Sequence, residues 1–212
     1  MGTTEDGHTR EQPESLSEQI GSSSNALLCG PATSDVDTMV CRTLLTGPYD
    51  RESNVLHVEF TRSLDECGRV GEETVQPARM KIVKVGDMIR SVATQATSVG
   101  TQSSESLIET VHDPADLTAL GVAVTRILDS WQETDQQTIV CFHSVTALLD
   151  HVDCYLAFRF LHVLTSRIET AGAVAHYHLD PTAHDDQTVT TIIQLFDTVA
   201  EFDDGDWTVR TR

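Results

Sequence analysis

The side chains best equipped for chemistry are histidines gathered in the C-terminal half. His143 ends the apolar run "TIVCFH", and His176 and His178 stand two apart in "AVAHYHL". Asp180 and His184 follow in the next loop. Residues two apart on a strand point to one face, so His176 lies on the side of His178, and Cys141 on the side of His143. If the two strands are neighbours, His143, His178, His184 and an aspartate gather near the carboxyl edge of the sheet, where α/β folds place ligands. Imidazole and carboxylate donors suit Zn²⁺ or another transition metal. One expectation is therefore a metal- or small-ligand-binding protein, or an enzyme, built on His143, His178 and His184. Against it, the spacing matches no tight metal motif, and polar residues at strand ends are commonly just satisfied there. Cys141 and His143 also have the composition of a thiol–imidazole nucleophile, although no third residue is available to orient them.

A second stretch with chemical potential is "LLCGPATSDVDTMVC", residues 27–41. It reads as a short apolar strand, a Gly-Pro turn and a helix start, the context of a phosphate-binding loop. A working loop reads GxxxxGKS or GxxxxGKT: backbone N–H groups wrap the phosphates, the lysine reaches them and the hydroxyl binds Mg²⁺. Counting from Gly30, Asp35 falls at the second glycine, Val36 at the lysine and Asp37 at the hydroxyl. Asp35 has a Cβ where close backbone approach is needed. Val36 brings no charge, and two carboxylates compete with phosphate for the positive end of the helix dipole. Asp35 reads as a helix N-cap in a loop that keeps its structural job and drops its ligand. Nucleotide binding is not expected, and no cofactor is implied.

Composition narrows the setting. The chain has 212 residues, 39% of them apolar, enough for one sizeable domain. Its 14 Lys+Arg face 33 Asp+Glu, a net charge of -19, and Lys81 and Lys84 are its only lysines. Acidic surface, scarce lysine and abundant threonine resemble the proteins of salt-accumulating halophilic archaea, because concentrated salt screens repulsion among carboxylates. Such a charge argues against nucleic-acid partners, whose phosphates need a basic surface. No apolar run approaches the roughly 20 residues of a membrane span, and the polar N-terminus lacks a secretion signal. The expected location is the cytoplasm. Five cysteines, Cys29, Cys41, Cys67, Cys141 and Cys154, form no CxxC pair. They read as small core residues in a reducing compartment.

These residues need elements to position them. Residues 1–24 are polar, end in "GSSS" and read as a disordered acidic tail; the domain then runs over 25–212. Strands are expected at "NALLCG", "NVLHVEF", "ARMKIVKVG", "LIETV", "QTIVCFH" and "AVAHYHL". Helices are expected over 35–45, 63–70, 112–131 and 153–171, with residues 188–196 helical or a turn-linked strand. In the helix "HDPADLTALGVAVTRILDSW", Asp113 suits the N-cap, Pro114 the first position and Asp116 the first turn. Residues 87–106, rich in Ser, Thr and Gln, form a long connection. "DTVAEF" and "DWTVRT" close the chain as a hairpin across "DDGD". Alternating strands and helices imply a mainly parallel twisted sheet covered on both faces, with an antiparallel edge hairpin at the C-terminus.

The order of elements resembles the RecA/KaiC-like P-loop ATPase fold. Three stretches carry the resemblance: "NALLCGPATSDVDTMVC", "TIVCFHSVTALLDHVD", and "SRIETAGAVAHYHLDPTAHDDQTVTTIIQLFDTVAEFDDGDW". "SLIETVHDPADLTALGVAVTRILDSW" further resembles a haloarchaeal family of unknown function labelled HTR-like. The resemblance implies that "TIVCFH" is the Walker B strand, which in KaiC-like proteins ends in a Mg²⁺-binding aspartate; here His143 stands in that place. With both nucleotide sites degenerate, the resemblance implies a pseudo-ATPase domain with a regulatory or signalling role.

The helix "DCYLAFRFLHVLTSRIE" is apolar nearly all round, with only Arg159, His162, Ser166 and Thr170 on its polar stripe. Such a helix is buried on several sides. Either the C-terminal hairpin and neighbouring helices cover it, the simpler reading, or a second subunit does; a protein partner or self-association is the accompanying expectation.

Overall fold

A computed structural model describes residues 16, 20, 23–31, 40–41, 43–45, 53–60, 77–86 and 107–211. Eight strands form one sheet: β1 (Asn25–Cys29), β2 (Asn54–Phe60), β3 (Arg79–Val85), β4 (Ile108–Val111), β5 (Thr138–His143), β6 (Val174–Leu179), β7 (Thr198–Asp203) and β8 (Asp206–Thr211). The spatial order is β4-β3-β2-β5-β6-β1-β7-β8. Every pairing is parallel except β7 with β8. The expected mainly parallel α/β sheet with an antiparallel C-terminal pair is what the chain forms. Asp204 and Gly205 join the last two strands, both with positive φ. That is the two-residue turn whose twist matches a hairpin, and it needs residues tolerant of the left-handed region.

Strands buried on both faces read as nearly continuous apolar runs, and β1 and β5 do. One face packs under four helices: α1 (Leu117–Trp131), α2 (Val145–His151), α3 (Cys154–Thr170) and α4 (Asp186–Ile193). Leu27, Val58, Val83, Phe142 and Tyr177 from the strands meet Leu120, Ile127, Leu148, Leu161 and Ile168 from the helices in this main core. The other face meets helical backbone at residues 40–41 and 43–45. There Val40 and Leu44 pack on Ala26 and Leu28, while Cys41 and Leu45 pack on Val55, Ile139 and Cys141.

Carboxylates and a hydroxyl start the helices as expected of such caps. Asp153 Oδ1 accepts from Leu156 N at 2.9 Å, Ser144 Oγ from Ala147 N at 3.2 Å, and Asp185 Oδ1 from Thr188 N at 3.0 Å. The α1 cap differs from the sequence expectation. Asp113 caps the preceding turn, accepting from Ala115 N, and Asp116 becomes the N-cap, accepting from Ala119 N. A Pro-containing turn simply delays the helix by three residues. Of the segment read as a tail, only four residues are described. Leu16 and Ile20, four apart, have helical backbone and are buried against Leu28, Val40 and Trp207. The other residues before Ser23 lie outside the described residues. Residues 63–70 and 87–106 lie outside the described residues.

Candidate functional site

Side-chain alternation sorts the central strands into two faces. On the face opposite the four helices, β2 presents His57 and Glu59, β5 presents Cys141 and His143, and β6 presents His176 and His178. Register then lines them up. His57 lies opposite Cys141, and Cys141 opposite His176, while Glu59 lies opposite His143. Three adjacent strands thus carry a ladder of thiol and imidazole groups beneath the carboxyl edge. Cys41, from the helical backbone packed on this face, completes it.

The contacts are close. Cys41 Sγ lies 3.3 Å from His176 Nε2 and 3.5 Å from Cys141 Sγ, and Cys141 Sγ lies 3.7 Å from His178 Nε2. One donor atom from each of Cys41, Cys141, His176 and His178 can be chosen so that all four lie within 4.8 Å of one another. All four residues are sealed from solvent, at 0%, 0%, 3% and 4% exposure in that order. Two further imidazoles flank the group. The His143 ring centroid is 4.7 Å from that of His178 and 6.2 Å from that of His57.

Burial sets the protonation. It drives His176 well below its ordinary value, and the neighbouring His178, His57 and His143 push the same way. His57 is lowered to about 4, chiefly by burial, with Glu59 opposing and His178 and Lys84 assisting. Neutral at pH 7, His57 forms no ion pair with Glu59 despite a 3.8 Å approach; Glu59 pairs with Lys84 at 3.1 Å instead. The Nε2 of His57 is buried with no hydrogen-bond partner among the described residues. On the opposite face Cys29 is a different kind of thiol. Burial and the Glu201 carboxylate raise it to about 12, so it stays protonated.

The structure treats the sequence candidates unevenly. His143 and His178 come together, as do Cys141 and His178. His184 stands outside the group of four; it follows a 3₁₀ turn, Pro181–Ala183, and its Nε2 has no hydrogen-bond partner among the described residues. The Asp180 carboxylate is engaged by Thr182, accepting from its N at 2.9 Å and from its hydroxyl at 2.7 Å. Sequence reasoning missed Cys41 and His57. The signal was present for His57, which alternates with Glu59 in a strand, but nothing local said that β2 neighbours β5. Of the degenerate phosphate loop, only Gly30 is described; Asp35, Val36 and Asp37 lie outside the described residues. Gly30 N donates to Leu179 O at 3.0 Å, and a Cβ added to it would stand 3.3 Å from Phe202 Cβ. Close packing against β7 gives that glycine a structural reason. The His143–Ser144 peptide, at the end of β5, is cis.

No helix among the described residues is long and apolar enough to cross a membrane. An apolar groove of about 730 Å³ runs along the outer surface between α1 and α3. Val122, Leu156 and Val163, which line it, are 61%, 44% and 68% exposed, far more than large apolar side chains in a core. Arg126, Arg159 and Arg167 stand along its walls.

Comparisons with known proteins place the chain. A solved structure from Pyrococcus horikoshii OT3, titled as a structural study of Project ID PH0250, superposes with a TM-score of 0.54 at 9% identity, over 92% of this chain and 91% of that one. That likeness concerns the fold alone. An ATPase from the type III secretion system of pathogenic bacteria aligns with a TM-score of 0.48 at 13% identity, over 85% of this chain and 51% of that one. No curated protein sequence matches. A family model matches residues 23–202, a span that holds all six residues of the thiol–imidazole ladder, and the chain belongs to the Family of unknown function (DUF7504).

Proposed function

We propose that this chain is a non-catalytic RecA/KaiC-like domain that acts by binding a protein partner, in a regulatory or signalling role, in a halophilic archaeon. One observation carries the reading. In the resemblance, β5 is the strand whose end supplies the Mg²⁺-binding carboxylate; here it ends in His143, buried and packed on the His178 ring. Mg²⁺ demands hard oxygen ligands, and an imidazole turned into the protein offers none. The sequence of the loop after β1 points the same way, with Asp35, Val36 and Asp37 where glycine, lysine and a hydroxyl are needed.

The surface that favours a protein partner is the groove between α1 and α3. Contiguous exposed apolar side chains mark interaction sites more often than they occur idly. Arg159 lies over the Tyr155 ring, 5.6 Å from its centroid, while Arg126 pairs with Glu109 and Arg167 with Asp129. Those two ion pairs neutralise most of the cationic rim, so the groove suits a partner that presents an apolar ridge.

Titration with Mg²⁺–ATP in multimolar KCl, followed by calorimetry and a phosphate-release assay, tests the reading. The expected result is no saturable heat and no release. Specific micromolar binding with turnover overturns it.

A further inference from the structure

We infer that Cys41, Cys141, His176 and His178 form a four-coordinate zinc site that fastens a helical segment to the centre of the sheet. The inference does not depend on the nucleotide reading above, and neither experiment bears on the other.

The geometry is that of a coordination sphere. With Zn–S near 2.3 Å and Zn–N near 2.0–2.1 Å, a tetrahedron has edges of about 3.8 Å between sulfurs and about 3.5 Å between sulfur and nitrogen. The observed edges are 3.5 Å for Cys41–Cys141, 3.3 Å for Cys41–His176 and 3.7 Å for Cys141–His178. The remaining edges are no longer than 4.8 Å. The three printed contacts differ from the ideal by a few tenths of an ångström and the remaining edges by at most about 1.5 Å, shifts that rotation about side-chain torsions spans. Both histidines direct Nε2 at the sulfurs.

Donor chemistry selects the metal. Two thiolates and two imidazoles are the soft and borderline ligands of Zn²⁺ and exclude Mg²⁺ and Ca²⁺, which take oxygen. Two thiolate charges neutralise a divalent ion, so the completed centre is electrically neutral. A neutral centre can be buried under a sheet, whereas an unpaired thiolate there is costly. With four protein ligands and no solvent-exposed position, the site is of the closed, structural kind. Plain thiol–imidazole hydrogen bonding accounts for any one of these contacts. It gives no reason for four donors, drawn from a helix and two strands, to point at one spot.

The position says what the metal does. Cys141 and His176 are cross-strand neighbours on β5 and β6, and His178 lies two residues further along β6. Cys41 comes from the layer above, beside Val40 and Leu44, which cover β1. Coordination therefore holds the chain that follows the loop after β1 against the sheet's centre.

The test uses the full chain, expressed without a metal-affinity tag and kept in multimolar KCl. Elemental analysis is expected to give one zinc per chain. Removing the zinc with a chelator and titrating Co²⁺ is expected to give the intense visible bands of tetrahedral cobalt and thiolate-to-cobalt charge transfer, saturating at one equivalent. Cys141→Ser and His176→Ala should abolish this spectrum, while Cys154→Ser and His184→Ala should retain it. Where a ligand variant fails to fold, the wild-type chain answers alone: Cys41 and Cys141 should resist alkylation until chelator is added. A folded protein that contains no stoichiometric metal overturns the inference. So does one that gives a six-coordinate cobalt spectrum without charge transfer, or whose Cys41 and Cys141 alkylate equally with and without chelator.

Discussion

The Tyr177 hydroxyl donates to Asn25 Oδ1 at 3.0 Å, and Asn25 Nδ2 donates onward to Thr165 O at 3.2 Å. Three elements, β6, β1 and α3, are joined by one buried relay. Tyr177→Phe removes the donor and leaves Asn25 Oδ1 buried without it. An unmet buried acceptor costs about 1–3 kcal/mol. Urea denaturation should show that loss, with less further loss when Asn25→Ala is added. An unchanged midpoint in Tyr177→Phe removes the relay's part in stability.

Cys29 makes the protein sensitive to alkali. Its thiol is raised by burial from 9.0 to about 12 in the folded chain, and burial raises Tyr177 as well. Between the unfolded and folded values, the unfolded state has released a proton that the folded state still holds. Stability from Cys29 is therefore intact below pH 9 and falls as pH rises toward 12, at up to about 1.4 kcal/mol per pH unit. Denaturant midpoints at pH 8, 9.5 and 10.5 should decline, and Cys29→Ala should flatten the decline. An equal slope in the variant assigns the loss elsewhere.

The α3 cap is open to a simple measurement. Asp153→Ala deletes the acceptor for Leu156 N, and such losses cost about 1 kcal/mol. Asp153→Asn, which can still cap, should recover most of it. Failure of the asparagine variant to recover points to charge, not hydrogen bonding, as the origin.

Zinc and folding should be linked. A ligand that binds only the folded chain adds about 1.4 kcal/mol of stability for each tenfold rise in free concentration above its dissociation constant. Thermal melts across buffered zinc concentrations should follow that line for the wild type and stay flat for Cys141→Ser. A flat wild-type series contradicts a folded-state zinc site.

Val163 lies on the rim of the α1–α3 groove and is mostly exposed. Val163→Glu should leave the denaturation midpoint within about 0.5 kcal/mol of wild type. It should lower the fluorescence of a dye that reports exposed apolar surface. A large loss of stability instead would mean that Val163 packs within the folded chain.

Much of the architecture was legible locally. Alternation marked β2 and apolar runs marked β5 and β6; "DDGD" marked the hairpin; Asp153 and Gly172 marked the two ends of α3, and Gly172 takes the positive φ that a helix stop favours. The same rule put His176 beside His178 and Cys141 beside His143 on their strands. The near-uniform apolarity of α3 was also informative: one side packs in the core, and Tyr155, Leu156 and Val163 remain at the surface. What local pattern left open was which residues assemble into a site. The sequence favoured His184, which is near His178 along the chain. Cys41, distant in sequence, is the residue that reaches the cluster.

The amino-acid order alone marked the strands, the two long helices and which strand side chains share a face, though not the short helix Val145–His151, because a strand's two-residue period and a helix's caps are short-range properties. Only the tertiary structure decided that β5 sits between β2 and β6, and that a helical residue 100 positions before Cys141 rests against it. Strand order and layer packing depend on hydrogen bonds and apolar contacts between distant segments. No local periodicity encodes them, so four donors from three elements become one centre only when the sheet is assembled.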